Sequence, residues 1–255
     1  MVETPSQGIP KEQFLALVRQ ALGRAEGPPE PPYPSLAEDV AALETQAAQI
    51  RRRSATETRE LLDRLAVTAQ LRGWQVHRAA SAEEAVGYIT AVAQALGVQR
   101  VVRSDHEVLL ILLVQDALEA LGMAVTAVVR DQDHSREALR QAMAEAGLGI
   151  TGADYAVAET GSVVLLPRRG LSRLVSLVPP VHLAVVRPQE VVATLDDVLL
   201  LRRLEYYRDG GDMGSYLNFI TGPSRTADIE QTLVVGVHGP REVHLVLLDE
   251  KPPLP

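Results

Sequence analysis

Residues 74–103 read WQVHRAASAEEAVGYITAVAQALGVQRVVR, and this stretch decides the fold class. Trp74 to Arg78 reads as a strand. Ser81-Ala82-Glu83-Glu84 then opens a helix, with Ser81 at the N-cap and Glu84 three residues on, the pattern of a capping box. That helix runs to Leu96 and stops at Gly97, since glycine readily takes the left-handed conformation that ends a helix. Arg100 to Arg103 is the next strand. Strand, helix and strand at this spacing form a βαβ unit, which predicts a parallel sheet covered by helices.

The same rhythm continues downstream. Ser104-Asp105 precedes a helix to Leu121, closed by Gly122; Met123 to Val129 is a strand and Ser135 to Ala146 a helix. Upstream, residues 36–71 are helical, with Leu36, Val40, Leu43, Ala47, Ile50, Leu61, Leu62, Leu65, Val67 and Leu71 at helical spacing. Past residue 150 the pattern departs from plain βαβ. Tyr155 to Ala158 and Ser162 to Leu166 are short strands separated by Glu159-Thr160-Gly161, a hairpin loop whose last position favours positive φ. His182 to Val186 is a buried strand, Thr194 to Arg208 a Leu-rich helix, and Leu217 to Ile220 and Glu242 to Leu248 are strands. Leu233 to Val237 fits either a strand or a helix end.

The beginning of the chain reads differently. Residues 10–22 fit a short amphipathic helix with Pro10 near its start. Glu26 to Ser35 holds Pro28, Pro29, Pro31, Pro32 and Pro34, so it is extended and stiff. Residues 1–35 therefore form an N-terminal helix and Pro-rich arm, and residues 36–255 the α/β domain. Such an arm can lie on a neighbouring subunit, giving a homo-oligomer, or hang as a tail.

Composition excludes several functions. The net charge is −8, too acidic for a chain that coats nucleic acid or anionic lipid. There is no cysteine, hence no disulfide, thiol nucleophile or thiolate-held zinc or iron–sulfur cluster in this chain. No apolar run reaches the roughly 20 residues that a membrane-spanning helix needs. Nor does the start show a secretory pattern, so a cytoplasmic protein is expected. The six histidines show no metal-ligand spacing, and no metal site is expected.

Four of the nine aromatics, Tyr206, Tyr207, Tyr216 and Phe219, crowd a segment that also holds Gly210, Gly211 and Gly214. Just beyond comes Thr221-Gly222-Pro223-Ser224-Arg225-Thr226-Ala227-Asp228-Ile229-Glu230. Gly222 allows close backbone approach, Ser224 and Thr226 offer hydroxyls, and Arg225 offers a fork for a carboxylate or phosphate. If a helix begins there, its first N–H groups point at the same spot. The plain alternative is that Ser224 or Thr226 caps a helix and Arg225 pairs with an acid. His238, in Val237-His238-Gly239-Pro240, is a candidate acid or base, or a turn residue. Glu159 at the hairpin tip is a surface carboxylate or a nucleophile, with Thr160, Gly161 and Ser162 beside it. Arg168 and Arg169, which follow the hairpin, are candidates for a substrate anion, whereas Arg51-Arg52-Arg53 reads as a solvated face.

Two blocks carry a family resemblance. Ile150-Thr151-Gly152-Ala153-Asp154-Tyr155-Ala156-Val157-Ala158-Glu159-Thr160-Gly161-Ser162-Val163-Val164-Leu165 resembles a signature of the LUD-domain family. The 221–230 segment with Gly236-Val237-His238-Gly239-Pro240 is similar to its second signature. The resemblance covers roughly residues 40–250 and points to the family's single-domain lactate utilization protein C group. It implies a three-layer α/β domain with a largely parallel sheet, like the sugar-phosphate isomerase and CoA-transferase superfold. It also implies a place in oxidising L-lactate to pyruvate, beside iron–sulfur partners of the lactate utilization protein A and B type. Relatives of the B type join a LUD domain to cysteine-rich cluster-binding segments, which this chain lacks. On this reading the clusters sit in the partners and the chain itself holds no cofactor.

Three functions follow from this reading. One is a non-redox component of a lactate-oxidising system, binding lactate or pyruvate through Arg225 and the 221–226 turn. Another is a stand-alone isomerase or acyl/CoA-transfer enzyme on a small anionic metabolite, with Glu159 as the acting carboxylate by analogy of fold. The last is a scaffold or regulatory module. The site reading places Thr221, Ser224, Arg225, Thr226 and His238 near Glu159 around one cleft at the sheet ends, with Glu159 and His238 as candidate catalytic groups and Thr160, Gly161, Ser162, Arg168 and Gly222 as further ligand-binding candidates.

Overall fold

Val181, Leu183 and Val185 pack on one side of a strand and His182, Ala184 and Val186 on the other, and all six are buried. A strand buried on both faces belongs in the middle of a covered parallel sheet, and that is where it lies. The computed structural model describes residues 10–23, 39–129, 135–166, 172–208, 214, 216–227 and 233–250. The chain falls into two units, Met1–Asp39 and Val40–Pro255. In the first, helix α1 (Lys11–Ala21) starts after Pro10. The Pro-rich stretch 26–35 lies outside the described residues.

The second unit begins with α2 (Val40–Thr56), α3 (Thr58–Arg72), β1 (Gln75–Ala79), α4 (Ala82–Ala95) and β2 (Arg100–Arg103). Next come α5 (Glu107–Ile111), α6 (Val114–Glu119), β3 (Ala124–Ala127), α7 (Arg136–Glu145) and β4 (Leu148–Gly152). The hairpin β5 (Tyr155–Val157) and β6 (Ser162–Leu165) follows, then α8 (Ser172–Leu177), β7 (Val181–Val186), a one-turn 3-10 helix (Pro188–Glu190), β8 (Val191–Val192) and α9 (Leu195–Arg208). Last are β9 (Asn218–Ile220), β10 (Arg225–Ala227), β11 (Leu233–Val235) and β12 (Glu242–Leu248). Ser81 caps α4 as its sequence implies, its side chain accepting from Glu84 N at 3.2 Å. The carboxylate of Glu84 accepts from Ala80 N at 2.8 Å.

Six strands form one sheet in the order β1-β12-β7-β4-β2-β3, and every pairing is parallel. One face is covered by α4, α5 and α6, whose Ile89, Leu109 and Leu118 meet Leu148, Ile150, Leu183 and Val246. The other face meets α3, through Leu61, Leu62 and Leu65, and a second sheet in the order β8-β5-β6-β9. Helices α7 and α8 cover that face beside β2, where Leu139, Met143 and Val175 pack on Val102.

The second sheet adds a layer to the expected three. Ala156, Val163 and Leu165 face the parallel sheet, while Val157, Val164 and Val192 face away. The outward set must also be buried, and α2 and α9 cover it with Leu43, Ala47, Ile50, Val198, Leu201 and Leu204. This is why the strands past residue 150 show no polar alternation.

Two expected helices are interrupted. The span 104–121 divides at Leu113, whose φ is 49°, a costly backbone for leucine. The break leaves Leu113 exposed and lets Val114 and Leu118 join Val108, Leu109 and Leu112 in one core. The span 36–71 divides at Glu57, between α2 and α3.

Candidate functional site

The second signature block does not open a helix in its described part. Arg225–Ala227 is a strand, paired antiparallel with Leu233–Val235, and residues 228–232 lie outside the described residues. The helix-start cradle is therefore replaced by a β-ribbon. Asp228, Ile229, Glu230, Arg168 and Arg169 are also outside the described residues.

The turn before the ribbon sits against the amino-terminal ends of the parallel strands. Ser224 N donates to Pro240 O at 2.9 Å, just before β12, and Arg225 Nη2 donates to Arg72 O at 3.1 Å, just before β1. Gly222, with φ +107°, fits because a Cβ there would stand 2.3 Å from Arg72 O. The hairpin tip lies nearby: a Cβ on Gly161, φ +70°, would meet Ala69 N at 2.6 Å.

Hydroxyls link the two blocks. Thr160 Oγ1 donates to Ser162 Oγ at 2.8 Å, and Ser162 Oγ lies 2.7 Å from Thr221 Oγ1. Thr160, Gly161, Ser162, Thr221, Gly222 and Arg225 thus gather around the end of α3. Glu159 turns elsewhere and accepts from Leu195 N at the start of α9, at 3.3 Å. Ser224 packs beside Gly239, Thr226 lies within the ribbon, and His238 is exposed.

A different group occupies the carboxyl ends of the strands. From β2 the chain leads outward to edge strand β3, whereas from β4 it leads towards β7. The connections part between β2 and β4, and such a switch point is where open parallel sheets bind ligands. Ser104 and His106 leave β2 there, Gly152 and Asp154 leave β4, and Arg187 and Glu190 leave β7. Ser104 N still bonds Ile150 O at 2.9 Å, which holds the two strand ends together.

His106 is buried, and its Nδ1 accepts from Val108 N at 3.3 Å, capping α5. Its Nε2 stands 3.9 Å from Asp154 Oδ1, and Asp154 Oδ2 accepts from Leu166 N at 2.7 Å. Gly152 makes this packing feasible, since a Cβ there would lie 2.2 Å from His106 Nδ1. Ser104 Oγ is buried and has no hydrogen-bond partner among the described residues. Beside them, Arg187 donates from Nε to Glu190 Oε1 at 2.6 Å and from its backbone N to Oε2 at 2.8 Å. Its Nη1 donates to Glu107 at 3.0 Å.

Burial pushes the Glu190 carboxyl up to about 7; Arg187 opposes the shift, and Asp154 adds slightly to it. A carboxyl poised near neutrality suits general acid–base chemistry, and a fixed guanidinium lies beside it. His182 is the contrasting case. Burial, with a smaller contribution from His244, lowers it to about 3, and its Nε2 lies 2.9 Å from Thr151 Oγ1, so it is a neutral core histidine.

Sequence reasoning missed His106, Asp154, Arg187 and Glu190 as a group. The only signals were Asp154 inside the first signature block, and Arg187-Pro188-Gln189-Glu190 directly after a buried strand. Among the described residues no cluster of three or more His, Asp or Glu could hold a metal. No described helix is long and apolar enough to cross a membrane.

These features define an all-parallel α/β domain with buried ionisable groups at its switch point. The chain belongs to the LUD-domain family, whose model matches residues 62–248. It is similar to lactate utilization protein C of Halalkalibacterium halodurans (strain C-125), with 40% identity over 121 residues, 47% of this chain and 52% of that protein. Lactate utilization protein C of Bacillus subtilis (strain 168) is 36% identical over 121 residues, 48% of this chain and 50% of that protein. These matches span about half the length of the relatives. A DUF162 family protein from Deinococcus radiodurans shares the fold, with TM-score 0.51 and 26% identity over 75% of this chain and 98% of that one.

Proposed function

We propose that this chain is the non-redox component of an L-lactate utilization system, acting in the cytoplasm with iron–sulfur proteins of the A and B type. What carries the reading is its LUD domain together with 36–40% identity to proteins named lactate utilization protein C. The absence of cysteine supports the division of labour, because this chain offers no thiolate to a cluster. Electrons taken from lactate then pass through the partners. The parallel sheet with its switch-point cluster is compatible with a variant of the sugar-phosphate isomerase and CoA-transferase superfold.

The test is genetic and biochemical. Deleting the gene abolishes growth on L-lactate but not on glucose, and the tagged protein co-purifies with cluster-containing partners. Normal growth on L-lactate, in a strain with no duplicate gene, refutes the reading.

Glu190 favours a second reading, an isomerase or acyl-transfer step on a small anion by the chain itself. Turnover of sugar phosphates or CoA esters by the purified protein, lost in Glu190→Gln, supports it; no turnover of either class removes it.

A further inference from the structure

A cavity of about 510 Å³ lies among α2, β5, the 188–190 turn, β8 and α9. It is separate from the switch-point cluster, and its volume is that of a small-molecule site. Ile50, Ala55, Val192, Leu201, Pro188 and the ring of Tyr155 give it a largely apolar lining. The Tyr155 hydroxyl is committed to Glu205, to which it donates at 2.6 Å.

Thr58 and Gln189 also line the cavity, and among its polar residues Arg51 and Ser54 matter most. The run Arg51-Arg52-Arg53 is divided by the structure: Arg53 pairs with Asp197, while Arg51 lines the cavity and has no carboxylate partner among the described residues. Ser54 also lines the cavity; it is 8% exposed, and its Oγ is buried with no hydrogen-bond partner among the described residues. An unsatisfied buried hydroxyl costs about 1–3 kcal/mol, so a residue of this kind wants an acceptor or donor.

We propose that this cavity binds an amphipathic monocarboxylate, with Arg51 holding the carboxylate and Ile50, Val192 and Leu201 enclosing the apolar body. A hydrocarbon chain fills the lining that a short hydroxy acid such as lactate leaves bare, so the site is distinct from any lactate site. One wall is the 188–190 turn, whose ends are Arg187 and Glu190 of the switch-point cluster. The occupant therefore touches the element that positions that pair.

Calorimetry on the purified full chain, with octanoate as probe, tests the assignment. Octanoate binds the wild type, Arg51→Gln weakens it about tenfold as loss of a charged hydrogen bond requires, and Ala55→Trp, at an exposed rim position, blocks it. Octan-1-ol binds wild type and Arg51→Gln alike. Excess L-lactate does not displace octanoate, and growth on lactate is a separate question. Absence of octanoate binding, or binding that neither substitution alters in a normally folded protein, overturns the assignment.

Discussion

Replacing Glu190 by glutamine removes one buried ionisation and leaves a side chain of the same shape beside Arg187. The carboxyl is displaced from 4.5 to about 7, so the folded state holds its proton more tightly than the unfolded state does. Below pH 4.5 both states are protonated and the group contributes nothing. As pH rises towards 7, only the unfolded chain ionises freely, and wild-type stability falls. Above pH 7 the penalty is complete. At 1.36 kcal/mol per pKa unit it reaches about 3 kcal/mol, most of which develops between pH 5 and pH 8. Arg187 and Asp154 face the carboxyl, and their effects are already contained in the displaced value. Urea unfolding of both proteins at pH 5, 6, 7 and 8 gives the difference directly. Glu190→Gln gains on the wild type by about 2–3 kcal/mol over that range. A difference that stays flat from pH 5 to pH 8 refutes the claim that Glu190 is held near neutrality.

Other parts of the structure make independent claims. Gly152→Ala drives a Cβ into the His106 ring and costs about 1–3 kcal/mol, measured by thermal or urea unfolding; an unchanged midpoint refutes the packing. Gly161→Ala combines a positive φ with a clash on the α3 backbone and destabilises by more than about 1 kcal/mol in the same assay. Leu183→Ala, in the centre of the parallel sheet, costs about 2–5 kcal/mol by urea unfolding. If lactate or pyruvate binds at the carboxyl ends, Arg187→Gln abolishes the calorimetric signal and Arg225→Ala does not; the reverse pattern moves the site to the amino-terminal turn.

The strand–helix rhythm from residue 74 to residue 146 was legible because each signal is local. Ser81, Gly97 and Gly122 mark helix boundaries within a few residues of the groups they cap or release. The hairpin at 155–165 was legible for the same reason, its glycine occupying the required positive φ. The division at Leu113 was not, since no glycine or proline announces it and the packing of Val114 and Leu118 alone imposes it. After Gly222 the sequence left a helix start open, because hydroxyls and a charged residue after a glycine suit a helix cap and equally suit the first strand of a ribbon, which is what residues 225–227 form.

The site shows the same division between local and distant information. The hydroxyls of Thr160, Ser162 and Thr221 bond one another, and they lie with Arg225 beyond the amino ends of the strands. At the carboxyl ends His106, Asp154 and Glu190 come from three separate loops, and nothing short-range connects them. Their juxtaposition depends on strand order: β4 must insert between β2 and β7 before these loops can share one end of the sheet. A histidine that caps a short helix looks ordinary in sequence, as does a carboxylate three residues after an arginine. Only the parallel order places one beside Asp154 and raises the other to about 7 by burying it. For this fold, a residue's position just after a parallel strand is therefore a stronger guide to chemistry than the composition of its own loop.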